Sequence, residues 1–150
     1  MGTKLARAAI TLLGALAFGS PLAAQEREYA VGQVWAYKTA PGDEGSLIKI
    51  QEIEEIGHED QPLTVYHISM TGVAVSVQAE RMVVQHLPVS RQTLDASVTE
   101  QVAVSPQFPD HSEGKAQWAA ANGGVFTITL AQIAEILRGQ VTRLPQDQTN

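Results

Sequence analysis

The hydrophobic pattern of this chain changes its period partway along the sequence, and this change constrains the fold more than any other feature. Between residues 33 and 87, apolar side chains mostly alternate with polar ones, which is the period of β-strands. From Ser90 onward they recur at the spacing of amphipathic helices. Strands followed by helices predict an α+β fold with a mostly antiparallel, curved sheet. The pattern leaves open whether this sheet stays open or closes partly into a small barrel.

The strand region contains two irregularities. Ile48 and Ile50 share a face while Ile53 is out of phase by one residue, which predicts a β-bulge near Gln51. At 71–72 the apolar phase shifts again, and either a bulge in one long strand or a two-residue hairpin explains the shift. The bulge is favoured, because threonine is poor at the positive φ of a tight hairpin turn. The predicted strands are 33–39, 46–54, 65–77 and 81–87, with a loop at 40–45, an acidic connection at 55–62 and a stop at Pro88.

Three helices and one short strand are predicted after residue 90. Ser90 is a good N-cap, and Leu94, Val98 and Val102 recur at helical spacing, which predicts a helix over 91–103. Capping-box patterns at 110–113 and 129–132 begin two further helices. The helix that carries Trp118 is predicted to end at 122–124, a late strand is predicted at 125–128, and the last helix is predicted to end at Gly139. One domain is predicted over 25–139, followed by a polar tail without stable structure over 140–150.

The first 24 residues are typical of a secretory signal peptide. Lys4 and Arg7 precede an apolar run over 8–18, and cleavage is expected after Ala24. A transmembrane helix needs about 20 apolar residues, so this run is too short for one. The sequence therefore predicts a periplasmic or secreted bacterial protein with no stable membrane anchor once the leader is removed.

Charge and composition exclude several classes of function. The net charge is -6, and loss of the leader removes two cations and no acid, which leaves -8. Such an acidic chain lacks the basic surface that nucleic-acid binding needs. The absence of cysteine excludes disulfides, thiolate metal sites and cysteine catalysis. No phosphate-binding glycine motif occurs, so no cofactor is expected.

The four histidines follow no metal-binding motif, and no metal ligand is predicted. His67 and His86 both lie in predicted strands, however, and can meet across one face of the sheet. No serine-nucleophile motif accompanies them, so no catalytic residue is assigned. The cluster of five acidic residues over 52–60 lacks calcium-loop spacing and is interpreted as a solvated turn, with contact to a basic partner as the alternative.

Trp35 and Tyr37 fall on one face of the first strand. Exposed, they would offer flat apolar surfaces to a ligand; buried, they would belong to the core. These two residues and His67 are the candidate binding residues.

Residues 31–39 (VGQVWAYKT), followed by Pro41-Gly42-Asp43, resemble the opening of a group of small bacterial proteins of unassigned function. Segments 66–69 (YHIS) and 124–128 (GVFTI) are similar to later parts of the same group. The resemblance spans most of the chain after the leader, and it implies no catalytic residues.

These observations favour a non-catalytic, exported binding module that contacts a protein or peptide through an open sheet edge or the Trp35/Tyr37 face. The alternative is a small hydrolase-like enzyme in which His67 or His86 is the base and a carboxylate orients it. A structural envelope component that self-associates is a third class.

Overall fold

The computed structural model describes residues 26–74, 81–103, 106–141 and 143. Strands dominate this part of the chain, and three helices accompany them. The predicted leader, 1–24, lies outside the described residues. In order along the chain the elements are β1 (Val34–Tyr37), β2 (Leu47–His58), β3 (Gln61–Ala74), β4 (Arg81–Ser90), α1 (Arg91–Ser97), β5 (Val98–Gln101), α2 (Ser112–Ala120) and α3 (Leu130–Val141).

The five strands form one antiparallel sheet in the order β4-β3-β2-β1-β5. The first four strands form a meander, and β5 returns to pair with the free side of β1. The α+β prediction is confirmed, since helices follow a strand-rich first half. The sheet is open, with β4 and β5 as its edges, and the partly closed barrel is not what forms.

Both predicted bulges are present. The pairing of β2 with β3 shifts between Ile50 and Glu52, so Gln51 is the extra residue. The β3–β4 register shifts between Met70 and Val73, and β3 runs on without a hairpin turn. Gly72 has a φ of 83°, which L side chains rarely adopt. Gly72, the one glycine of β3, therefore permits the irregular pairing at this position.

The predicted acidic connection over 55–62 is wrong. β2 continues to His58 and β3 begins at Gln61, so only Glu59 and Asp60 form the turn. Neither β1 nor β4 reaches this end of the hairpin, and residues 55–64 project from the sheet as a two-stranded arm. The polar composition suggested a loop, but an exposed hairpin tolerates polar side chains on both faces.

The helix predicted over 91–103 is half right. Ser90 is the N-cap, and its hydroxyl accepts a hydrogen bond from the Thr93 N–H. The helix ends at Ser97, and residues 98–101 form β5 against β1. Val98 pairs opposite Tyr37 and is buried in the core. Backbone pairing with the open side of β1 overrides the helical spacing of the apolar residues.

Helices α1 and α3 cover the inner face of the sheet. Leu94 of α1 meets Leu130, Ile133 and Ala134 of α3 in one apolar cluster with the inward side chains of the strands. The capping box of α3 forms as predicted, because the Thr129 N–H donates to Gln132 Oε1 and the Gln132 N–H donates to Thr129 Oγ1. Helix α3 ends at Val141, two residues past its predicted end.

Two further predictions require correction at β4. This strand runs through Pro88 to Ser90, because an edge strand has a side on which a missing N–H breaks no ladder bond. The late strand over 125–128 reduces to one parallel bridge between Phe126 and Val89. Residues 142 and 144–150 of the predicted tail lie outside the described residues. In the parts of the chain that the structure describes, no helix is both long and apolar enough to span a bilayer.

Candidate functional site

Trp35 and Tyr37 lie in the core and do not form an exposed aromatic face. Their exposed fractions are 7% and 5%. The Trp35 indole N–H donates to Gln33 Oε1 at 3.0 Å, and the Tyr37 hydroxyl donates to Ser46 Oγ at 2.8 Å. Each aromatic ring therefore has its polar atom satisfied inside the protein, and the expected binding surface of this strand is absent.

His67, the third predicted binding residue, is fully buried on the opposite face of the sheet. This outer face carries a polar layer instead of an apolar one. Ser69 donates to the Gln85 carbonyl at 2.6 Å, and the bulge residue Gln51 donates to Ser69 Oγ and to the Pro109 carbonyl. Among the described residues, every buried side-chain nitrogen or oxygen has a hydrogen-bond partner. The layer is thus a complete network, which is costly to build and leaves little freedom to its members.

A chain of three side chains runs through this layer. Nε2 of His67 lies 3.0 Å from Oε2 of Glu54, and Nδ1 of His67 lies 2.8 Å from Nε2 of His86. The two imidazole rings, called here the histidine pair, stack with centroids 5.1 Å apart. The prediction that these two histidines can meet across a sheet face is borne out by this contact.

The contacts fix the tautomers of the neutral histidine pair. An ionised Glu54 only accepts, so the hydrogen of neutral His67 resides on Nε2. Nδ1 of His67 must then accept, and Nε2 of His86 donates to it. Nδ1 of His86 is left as the ring nitrogen with a free lone pair, and it is the position at which the pair takes up its next proton.

Helix α2 covers the histidine pair and is attached by charge. Lys115 donates to Glu52 Oε1 at 2.5 Å and to Glu54 Oε2 at 2.9 Å. His111, at the start of the helix, lies 3.3 Å from Glu52 Oε2. No residue of α2 itself is buried, so these bonds replace the apolar contact that usually attaches a helix to a sheet.

Two further residues bring α2 close to the sheet. A Cβ at Gly114 would lie 2.6 Å from the Cβ of His86, so only glycine permits this approach. The Trp118 ring meets His67 edge-on at 5.1 Å, and its N–H donates to the Gly124 carbonyl at 3.0 Å. The helix is therefore seated on the histidine pair by shape as well as by charge.

Burial and neighbouring charges shift the pKa values of this cluster. Hydrogen bonds from Lys115 hold the pKa of Glu52 and of Glu54 below the usual range, and the same bonds raise the pKa of Lys115. Desolvation lowers the pKa of His67, although Glu54 opposes it. Desolvation, with the charges of neighbouring groups, lowers the pKa of His86 to about 4. Both histidines are neutral at pH 7, between two carboxylates and a lysine.

The sequence pointed to part of this cluster. It named the two histidines and the acidic run, but it did not connect Glu54 with His67 or identify Lys115, Gly114 and Trp118. One signal was available, because Lys115 is the sole Lys or Arg between residues 92 and 137. Within the described ranges, no three His, Cys, Asp or Glu side chains are grouped as a metal site requires.

The outer edge of β4 is the second feature with functional potential. Val83 is 51% exposed, whereas Met82 and Val84 pack against the core from the other face of the strand. At the far end of the same edge, the Ser90 N–H donates to the Phe126 carbonyl and the Phe126 N–H donates to the Pro88 carbonyl, both at 2.9 Å. In the described part of the chain, no strand pairs with this edge over residues 81–87.

No protein-family profile, no curated protein sequence and no solved structure matches this chain.

Proposed function

We propose that this protein is an exported, non-catalytic binding module that takes an extended segment of a protein or peptide onto the outer edge of β4. An edge strand presents unpaired N–H and C=O groups, and an incoming strand gains affinity by pairing with them. Export rests on the signal-peptide pattern of residues 1–24.

The single observation that supports this edge is the bridge at Phe126. There the protein adds one residue of its own chain to β4, through two backbone hydrogen bonds. The geometry of β4 thus accepts a parallel neighbour, and an incoming strand could continue along residues 81–87. The opposite edge, β5, spans four residues against the ten of β4 and offers a shorter ladder.

The surroundings of the edge suggest the chemistry of the partner. Val83 presents an exposed apolar surface beside the backbone groups, which suits an apolar side chain on the incoming strand. The chain has a net charge of -8 once the predicted leader is removed, although Arg81 lies at the start of this edge. An extended segment with alternating apolar and basic residues fits both features, since charge complementarity speeds its association.

A displayed library of random peptides tests the proposal, because it presents extended segments of many compositions to the same edge. A peptide selected on the folded protein is titrated into isotope-labelled protein while backbone amide shifts are recorded. We expect the shifts to concentrate at residues 81–87. N-methylation of alternate residues of the peptide should abolish binding in one phase only, because strand pairing uses every second N–H.

Matched variants at the two edges complete the test. Val83→Lys should weaken binding of the selected peptide, whereas Thr99→Lys on β5 should leave it unchanged. Amide shifts confined to another surface, or a peptide that tolerates N-methylation in both phases, would refute strand addition at β4.

The second candidate is a hydrolase-like enzyme, favoured by the chain of Glu54, His67 and His86. A carboxylate that orients one histidine, which in turn orients a second with a free nitrogen, is the arrangement of a general base. This candidate predicts turnover of activated esters or phosphodiesters that is lost in His86→Gln and retained in His58→Gln. Equal rates for the two variants would exclude the histidine pair as the base.

A further inference from the structure

We propose that α2 is a pH-controlled cover over the histidine pair, and that protonation of the pair in mild acid releases this helix from the sheet while the core stays folded. The inference does not depend on what the edge of β4 binds.

Helix α2 is attached to the sheet mainly by polar bonds. No residue of the helix is fully buried, and its aromatic contact with the sheet is that of the half-buried Trp118. Its attachment depends on Lys115 and on His111, which bind Glu52 and Glu54, and on the contact of Trp118 with His67. The core cluster contains residues of α1 and α3 and none of α2. Release of α2 therefore leaves the inner face of the sheet intact.

The histidine pair has one nitrogen that can accept a further proton. With His67 bonded at both nitrogens, the added proton enters at Nδ1 of His86. A second proton would place two N–H groups against each other across 2.8 Å, so the docked state accepts one proton at most without rearrangement. A Cβ at Gly114 would lie 2.6 Å from the Cβ of His86 and 3.7 Å from its Nδ1, so α2 packs directly against the side chain that gains the charge. Protonation thus favours a state in which α2 has moved away and the ring is hydrated.

Charged groups of β2 and α2 surround the pair. A cation on His86 is repelled by Lys115 of α2 and attracted by Glu52, and the repulsion is the larger of the two effects. Protonation of the carboxylates at lower pH acts in the same direction, because it removes the acceptors of Lys115. The titratable groups that face the pair are Glu52 and Glu54 from β2, and His111 and Lys115 from α2.

The size of the effect follows from linkage. If His86 has its ordinary pKa of 6.5 in the released state and about 4 in the docked state, the ratio of released to docked protein rises up to ~60-fold between pH 7 and pH 4.5. This ratio is the contribution of His86 alone. Other groups of the cluster add to it or subtract from it.

Hydrogen exchange measured by mass spectrometry on the whole protein tests the inference. After correction for the intrinsic pH dependence of exchange, we expect the protection of residues 112–120 to fall at least ~10-fold below pH 5. Protection of α3 and of the core strands should not change over the same range. The change in tryptophan fluorescence over the same pH range gives an independent readout, and this change should be absent in Trp118→Phe.

Matched variants identify the titrating group. His86→Gln keeps an N–H donor for His67 and cannot be protonated, so the release should move to lower pH. His58→Gln, the same substitution at an exposed position of the arm, should leave the transition unchanged. The proposal is overturned if α2 stays protected at pH 4, if it opens only together with the core, or if His86→Gln titrates like the unmodified protein.

Discussion

Replacement of Gly114 by alanine tests whether α2 is packed against the sheet or only lies beside it. In a solvated helix, Gly→Ala stabilises by about 1 kcal/mol, because alanine has the higher helix propensity. Here the new Cβ would lie 2.6 Å from the Cβ of His86, whereas carbon atoms in contact are usually about 3.5–4.0 Å apart. Helix α2 must then retreat by roughly 1 Å, and overpacking of this kind costs about 1–3 kcal/mol. We expect a net loss of up to about 2 kcal/mol in the free energy of unfolding.

Gly139→Ala in α3 is the matched control, since a Cβ at Gly139 meets no atom within 4 Å. This substitution should stabilise the protein by about 0.5–1 kcal/mol. Urea denaturation followed by far-UV circular dichroism gives both values by linear extrapolation. The two substitutions should therefore change stability in opposite directions. Stabilisation by both would show that α2 is not seated on His86, and the account of the outer face would be wrong.

Three further substitutions or titrations probe other parts of the fold, each by the same denaturation assay. Asp43→Ala should lower the free energy of unfolding by about 3 kcal/mol, because it removes the buried carboxylate that Arg138 binds at 2.6 Å. Asp43→Asn should lower it by less, and equal losses would contradict a role for the charge. Gly72→Ala should cost about 1–3 kcal/mol, since φ is 83° and the new Cβ would lie 3.1 Å from the Ser46 Cα. His86 has a lowered pKa in the folded state, so the unfolded state binds more protons in acid. The free energy of unfolding should therefore fall by at most about 3 kcal/mol from pH 6.5 to pH 4. A free energy of unfolding that does not change over this range would refute the lowered pKa.

The sheet was the more predictable part of the fold. Bulges at Gln51 and Gly72 were readable because a one-residue insertion moves every later apolar side chain to the other face, and the period of two records that shift. The end of β2 was not readable. Side chains of the projecting arm face water on both sides, so the pattern there carries no alternation to detect.

The helical half was less predictable, and the reason is competition for β1. Leu94 and Val98 have helical spacing, yet Val98 becomes a strand residue because the free side of β1 needs a partner. Only the assembled sheet contains that requirement, so a local pattern cannot express it.

The sequence predicted some members of the histidine cluster but not how the cluster is assembled. The sequence indicated that His67 and His86 can meet, because both lie in predicted strands. It gave no means to place Lys115 over Glu52 and Glu54, since α2 has no apolar stripe to orient it. A helix attached by charge leaves no periodic signal in the sequence.

The bulge in β2 has a consequence for how this protein tolerates changes in length. Ile50 pairs with Ile68 and Glu52 pairs with His67, so Gln51 is a surplus residue between two successive pairs of the ladder. Deletion of Gln51 alone leaves all the remaining side chains of β2 on their present faces, and it removes two hydrogen bonds. Deletion of Lys49, two positions earlier, puts one part of β2 out of phase with its neighbours and turns core isoleucines towards α2. Gln51 is therefore the position in β2 where the chain can become one residue shorter and still fold to the same sheet.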